Sequence, residues 1–290
     1  MTTTPLLDRP APGPRARRRS ARPPRARTAT NLTLTSGLGL GIAMTWFSLL
    51  VLIPLCAVVI TASEGGWANF WTTVTNEQTA AAIRLTVTQA ALVTLVNIFM
   101  GTLIAWVLVR DRFPGKALLE ILIDIPFALP TIVAGLVLLS LYGRGSPLGV
   151  DIANTKVSVF LAFLFVTLPF IVRTVQPVLA ELDRDVEEAA SSLGASKFTT
   201  FCRIILPALV PAIAAGAALS FARGVSEYGS LVLLSGNLPF RTEVTSVRIL
   251  SSIENDNVEA AAATATVLLV VSLAVIVLLD VIQRRVSRRG

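Results

Sequence analysis

EAASSLGASKFTTFCRIILP, residues 188–207, sets a polar segment between two strongly apolar stretches of the chain. Leu182, Val186, Ala189, Ala190 and Leu193 recur at helical spacing, with Asp183, Arg184, Asp185, Glu187 and Glu188 at the other positions. That pattern predicts an amphipathic helix about three turns long. Gly194 stops it, because glycine takes the left-handed conformation that closes a helix end without a side-chain clash. Ser196 is then placed to cap a second helix, which runs through Ile204 into the next apolar stretch. Ala189, Ala190, Ser191 and Ser192 are small enough to let a partner backbone approach, and Leu182, Val186 and Leu193 give it something to bury. Helix grammar alone equally describes an ordinary connection between two helices.

The 290 residues are 53% hydrophobic and 15% charged, with mean hydropathy +0.72. This is too apolar for a water-soluble domain and places the chain among membrane proteins. Runs of spanning length lie near residues 38–61, 81–109, 117–141, 155–175, 204–222 and 262–282, at about 20 residues per helix. The expectation is an all-α membrane protein of six transmembrane helices, with residues 36–290 as one transmembrane domain. The net charge of +7 would suggest nucleic acid in a soluble protein. Here it reads as topology. With the amino terminus inside, the inner segments hold most of the Lys and Arg, while the outer ones hold only Arg84, Arg144, Lys156, Arg223, Arg241 and Arg248. The bias puts both termini and the 188–207 segment in the cytoplasm.

Residues 1–35 are rich in Arg and Pro, Arg15, Arg17, Arg18 and Arg19 among them. Such a segment buries no core and reads as a disordered cytoplasmic tail that fixes orientation beside the lipid, with no nucleic-acid role. A cleaved signal peptide is disfavoured, since the basic region is too long and the chain returns repeatedly to the membrane. There is no histidine, and Cys56 and Cys202 are the two cysteines; a His-based metal or acid–base site is therefore excluded, and a disulfide is not expected. No P-loop of the form G-x4-G-K-[ST] occurs, so the chain itself should not bind ATP. The spans also lack the convergent titratable groups of a membrane-embedded enzyme.

Two prolines, Pro126 and Pro130, interrupt the third apolar run, and LPF at 168–170 lies in the fourth. Carbonyls freed by proline in lipid must be met by other helices, water or a cavity, so kinks mark candidate pathway positions. Asp124 lies slightly inside the third run and Glu227 just past the fifth. Neither carboxylate is suited to bind an anion, which like charge repels. Hydroxyls, backbone N–H groups and helix amino-terminal ends are better suited. Arg84 and Arg223 are the cations nearest the outer span ends. The segment from Arg223 to Glu259 falls outside, and its glycines and prolines predict a turn-rich element that folds back toward the pathway. Pro126, Pro130, Ser226, Glu227 and Gly229 are the pathway candidates.

The order E-A-A-x-x-x-G-x9-I-x-L-P, carried by Glu188, Ala189, Ala190, Gly194, Ile204, Leu206 and Pro207, resembles the signature of the membrane subunits of bacterial ATP-binding-cassette importers. Further stretches are similar to the sulfate and thiosulfate branch of that family, its T-type permease subunit: LIAWVLVRDRFPGK from Leu103, DIPFALPTIVAG from Asp124, LYGRGSPLG from Leu141, FVTLPFIVRTVQPVL from Phe165, and SEYGSLVLLSGNLPFRTEV from Ser226. Ser226 departs from the glycine that relatives often carry before the Glu-aromatic-Gly element.

The resemblance implies the type I importer permease fold with a cytoplasmic coupling helix in a loop of about 176–207. It implies that Glu188, Ala189, Ala190, Leu193, Gly194, Leu206 and Pro207 form the docking site for a cytoplasmic ATPase dimer. That partner would use ATP and Mg, with no cofactor bound by this chain. It also implies a second permease, a different W-type chain, and an extracytoplasmic sulfate-binding protein. Molybdate or tungstate permeases share similar elements and are the alternative, and an ATPase-independent secondary anion transporter is a third reading that the docking motif opposes.

Overall fold

The computed structural model describes residues 34–287. All but the last two residues of the Arg/Pro-rich tail, 1–35, lie outside these described residues. The chain divides into two compact units, residues 1–50 and 51–290. In the first, α1 (Leu34–Phe47) presents Leu38, Ile42 and Trp46 outward. A wide π-helical turn, Ser48–Leu52, follows.

The second unit contains α2 (Ile53–Glu64), α3 (Gly66–Thr75), α4 (Glu77–Arg110), α5 (Lys116–Ala128), α6 (Thr131–Tyr142), α7 (Lys156–Glu181), α8 (Arg184–Ser192) and α9 (Lys197–Thr200). A second π-helical turn, Phe201–Ile205, leads into α10 (Leu206–Val225), then α11 (Gly229–Leu234), α12 (Thr245–Glu254) and α13 (Val258–Ser287). Both wide turns end two residues before a proline, Pro54 and Pro207. Proline has no N–H to give the carbonyl four residues back, and its ring crowds that carbonyl. The helix relieves the crowding by opening one turn, and Leu206 N–H bonds back to Phe201 O.

Five stretches among the described residues are long and apolar enough to span a membrane: Ser36–Glu64, Glu77–Arg110, Lys156–Glu181, Lys197–Val225 and Val258–Arg285. The third predicted span is not one helix. It breaks into α5 and α6, bent by 117°. The break falls at Leu129 and Pro130, not at Pro126, which is held inside α5. Leu129 is extended, with ψ of 135°, as a residue before proline is driven to be.

The core is built where α4, α7 and α10 cross. Ile171 of α7 lies between two glycines: a Cβ on Gly101 of α4 would stand 2.9 Å from Ile171 Cβ, and one on Gly216 of α10 would stand 3.0 Å from Ile171 Cα. Only glycine lets three backbones close to this distance. One turn further out, fully buried Asn97 of α4 donates from Nδ2 to Thr167 Oγ1 of α7, 2.8 Å away, and more weakly to Ser220 Oγ of α10, 3.5 Å away. In an apolar medium such a bond ties helices together because no water competes for the groups. α13 lies against α10 and α2 on the other side.

α10 stops short of the Lys156 end of α7. Its Gly224 packs against Thr167, eleven residues into α7 and therefore about 16 Å from Lys156 at a rise of about 1.5 Å per residue. The Lys156 end of this layer is filled by α11, whose Leu234 O accepts hydrogen bonds from Asn154 N (3.0 Å) and Ser158 Oγ (3.3 Å) near the start of α7. The segment after Arg223, expected outside, thus runs beside the first turns of α7. Its turns are tolerated there because protein, not lipid, surrounds the backbone. α3 was not anticipated: Trp67 stacks on Phe70 and Trp71 at 5.3 and 6.2 Å, the composition of an interfacial aromatic belt.

Gly216→Val should force Ile171 and α7 apart, at a cost of about 1–3 kcal/mol for overpacking. Thermal unfolding of the detergent-solubilised chain is expected to move to lower temperature. Gly39→Val, which meets nothing within 4 Å, is the comparator, and equal melting of the two variants would contradict the crossing as described.

Candidate functional site

The loop between α7 and α10 begins later than position 176, because α7 continues through Pro177 to Glu181. Leu182, placed by its spacing on the amphipathic helix, instead packs against the α7–α10 core. Asp183 then caps α8 by accepting from Asp185 N, so the helix is nine residues long, a turn shorter than its pattern suggested. An Asp at the cap competes successfully with further helix because its carboxylate satisfies an otherwise orphaned N–H.

At the other end, Gly194 has φ of +84°. Ala195 N–H returns to Ala190 O at 3.0 Å, and Gly194 N–H bonds to Ser191 O at 3.0 Å. This is the closing geometry that satisfies the last helical carbonyls. Ser196 accepts from Thr199 N at 3.2 Å and starts α9. The chain is thereby turned through a tight corner whose tip is apolar and bare: Leu193 is 89% exposed and Phe198 76%. Val186 is exposed as well, and Glu188 and Ala189 lie on the open side. Leu206 and Pro207 lie away from this tip, at the start of α10 beyond the π turn that Pro207 induces.

Sequence reading missed Phe198, whose apolar character is ordinary in a short polar segment until its exposure is seen. It also missed what holds α8 in place. Glu187, in the first turn of α8, is paired with Arg110 at the end of α4, and the two side chains are only 27% and 11% exposed. The Arg110 guanidinium lies 5.6 Å from the centroid of the Trp106 ring, a cation–π distance. Trp106 in turn meets Phe201 of the π turn edge-on at 5.6 Å. Charge, ring and ring therefore join α8 to the end of α4 and to the π turn before α10. Between them lies a cleft of ≈ 320 Å³ lined by Trp106, Glu187, Glu188, Lys197 and Phe201.

The pathway candidates gather in two places. Pro126 lies in α5 near Asp124, whose carboxylate receives Arg173 Nε at 2.8 Å and a second guanidinium nitrogen. Arg173 belongs to α7 itself and not to an inner loop. Pro130 begins α6, and there the broken span meets the turn-rich segment. A Cβ on Gly229 would stand 2.8 Å from Ile132 N, and one on Gly135 would stand 2.6 Å from Ser230 O. Glu227 is buried, with Oε1 accepting from Ser230 N (2.9 Å) and Ser230 Oγ (2.8 Å). Its Oε2 lies 2.7 Å from Arg223 Nη2 but receives no well-directed hydrogen bond, so that contact is chiefly Coulombic. The Glu227 backbone carbonyl accepts from Ser246 Oγ at 2.7 Å. Ser226 stays exposed at the end of α10, its hydroxyl turned back to Arg223 O. Both acidic side chains are thus neutralised from within the protein. Among the described residues, no group of three or more potential ligands is placed to hold a metal.

Glu187→Gln and Arg110→Gln should each loosen α8 from α4. Amide hydrogen exchange over residues 184–193 is expected to accelerate in either variant, with no further acceleration in the double variant because one contact is lost in both. Additive acceleration, or unchanged protection, would show that the pair does not fix the loop.

Comparison with known proteins agrees with this arrangement. The model of the binding-protein-dependent transport system inner membrane component family matches residues 97–289. The sulfate transport system permease protein CysT of Escherichia coli (strain K12) is 41% identical over 254 residues, covering 85% of this chain and 92% of that protein. The protein of the same name from a Synechocystis species is 42% identical over 250 residues, 84% of this chain and 87% of that one. In structure, a bacterial importer of the acidic polysaccharide alginate superposes with a TM-score of 0.70 at 18% identity, over 86% of this chain and 94% of its own; at that identity the likeness concerns the fold. The chain belongs to the binding-protein-dependent transport system inner membrane component family, and is a multi-pass, non-catalytic subunit that works with an ATPase and a substrate-binding protein.

Proposed function

We propose that this chain is the T-type permease subunit of an importer that carries sulfate or thiosulfate into the cell, with both termini and the α8–α9 loop in the cytoplasm. The observation that carries the docking part is the bare apolar tip of that loop, Leu193 and Phe198. Fully burying one large apolar side chain is worth about 1.5–3 kcal/mol, and a partner surface supplies that burial. Glu188 on the open side gives the partner a charged contact, and Gly194 sets the angle at which the two short helices are offered. The ATPase, as a dimer, would use ATP and Mg, and its movements would reach the spans through α8, Arg110 and α4.

Sulfate is supported by the names and the extended similarity of the two CysT proteins. An extracytoplasmic sulfate-binding protein would deliver the anion, and a second, W-type permease would complete the pathway between the two membrane subunits. The break at Pro130, where α6 abuts Gly229 and Ser230, is where this chain would line that pathway. Ser226, Glu227 and Pro126 would shape it from the ends of α10 and α5.

The test is uptake of radiolabelled sulfate by cells lacking their own importer and supplied with this chain and its partners, with and without excess molybdate. Uptake that depends on the chain and survives molybdate is expected. Uptake of molybdate without sulfate would move the substrate and keep the architecture. In the same cells, Gly194→Val and Glu188→Lys should leave the chain inserted but abolish most uptake and co-purification of the ATPase. Normal transport and normal co-purification in both variants would overturn the docking role.

A further inference from the structure

We propose that a basic cavity at the outer end of α4 and α7 is a low-affinity receiving site for an oxyanion dianion on its way into the pathway. The cavity holds ≈ 660 Å³ and is lined by Glu77, Arg84 and Gln89 of α4, Lys156 at the start of α7, and Phe240 and Arg241. Three cations from three separate segments meet one carboxylate there. None of the three cations forms an ion pair with another described residue, unlike Arg110, Arg173, Arg223 and Arg284. Arg84, Lys156 and Arg241 are all exposed, and like charges gathered at one concave surface repel each other and raise the local concentration of an anion.

The loop carrying Arg241 is built to hold it in place. Phe240 has φ of +60° and Asn237 φ of +50°, left-handed conformations that a non-glycine residue keeps only where the surroundings impose them. The imposing contacts are on hand. The amides of Arg241, Thr242 and Glu243 all point at Leu238 O, at 3.1, 2.9 and 3.0 Å. Thr242 Oγ1 donates to Ser235 O at 2.6 Å and accepts from Leu238 N at 3.1 Å. Glu243, the acidic residue next in line, is turned away from the cavity, buried and accepting from Gln78 Nε2 at 2.8 Å. The Gln89 side chain makes no hydrogen bond with another described residue. Its Oε1 is buried, so the accessible end of that amide is its NH2 donor. The inner cleft of ≈ 490 Å³ beside Lys116 and Arg173 differs in this respect, because Arg173 is already committed to Asp124.

The inference rests on the reading that the chain passes an oxyanion, and leaves open which one. Phosphate headgroups of anionic lipid share the same chemistry, so the experiment separates the two sources. Thr88, which also lines the cavity, is replaced by Cys in a Cys56→Ser, Cys202→Ser background. The assembled complex is placed in nanodiscs of zwitterionic lipid, with the binding protein withheld. Modification of residue 88 by an anionic and by a cationic methanethiosulfonate reagent is followed by mass spectrometry of its peptide.

The ratio of anionic to cationic rates should fall about tenfold when Arg84, Lys156 and Arg241 are all changed to Gln. Millimolar sulfate or molybdate should slow the labelling in the protein that keeps all three cations, an arm that needs no charge variant to fold. A rate ratio unaffected by the three Gln changes, or labelling indifferent to either oxyanion, would overturn the site. So would shielding by anionic lipid alone, or by the binding protein alone, which would make the cavity a headgroup site or a protein contact. Sulfate uptake that persists without shielding would remove this site and keep the proposed function; shielding by molybdate in a complex that imports no sulfate would do the reverse.

Discussion

Three long helices can cross at one level only if two of them give up their side chains there, and Ile171 between Gly101 and Gly216 is where this chain meets that condition. The crossing fixes the height of α10 against α7. From that height follows the distance by which α10 falls short of the Lys156 end of α7, and hence the space that α11 fills. The same crossing brings Asn97 opposite Thr167 and Ser220, where a hydrogen bond inside the bundle holds the three helices in register. The close approach is achieved by backbone contact, the form of packing available to helices that gain nothing from leaving water.

Three acidic side chains follow one rule: each is met by an arginine of the protein. Glu227 is neutralised by Arg223 and bonded by Ser230, Asp124 is held by Arg173, and Glu187 is held by Arg110. Two of the pairs join separate helices: Asp124 with Arg173 pins α5 to α7, and Glu187 with Arg110 pins α8 to α4. The three cations of the cavity beside Lys156 have no such carboxylate partner among the described residues.

Much of this was legible in the sequence. Hydropathy located the spans, because lipid demands a run of apolar residues whatever the packing. The stop at Gly194 and the start at Ser196 were readable because caps act through local backbone geometry. What the sequence could not display was direction. Leu182 fits the periodicity of α8, yet it is held in the core by long-range packing, and Asp183 wins the cap. Pro126 and Pro130 look alike as letters. Only the second ends a helix, since α5 accommodates a proline in its last turns while Leu129, ahead of Pro130, is forced out of helical conformation. The outer position of α11 was hidden for another reason: six helical residues carry no spanning signal, and their burial depends on the height of α10. Arg110, Trp106 and Phe201 were invisible as a set because they lie almost a hundred residues apart and meet only through the fold.

The way α11 is lodged also bears on how the protein is made. A segment with so short an apolar stretch is not handed to lipid as a helix during synthesis, and its turns and the Glu227 carboxylate would be costly there. It can settle only after α6 and α7 stand in place to receive it. Insertion and completion are therefore separate stages for this chain, and the segment that follows α10 is the last part of the subunit to take shape.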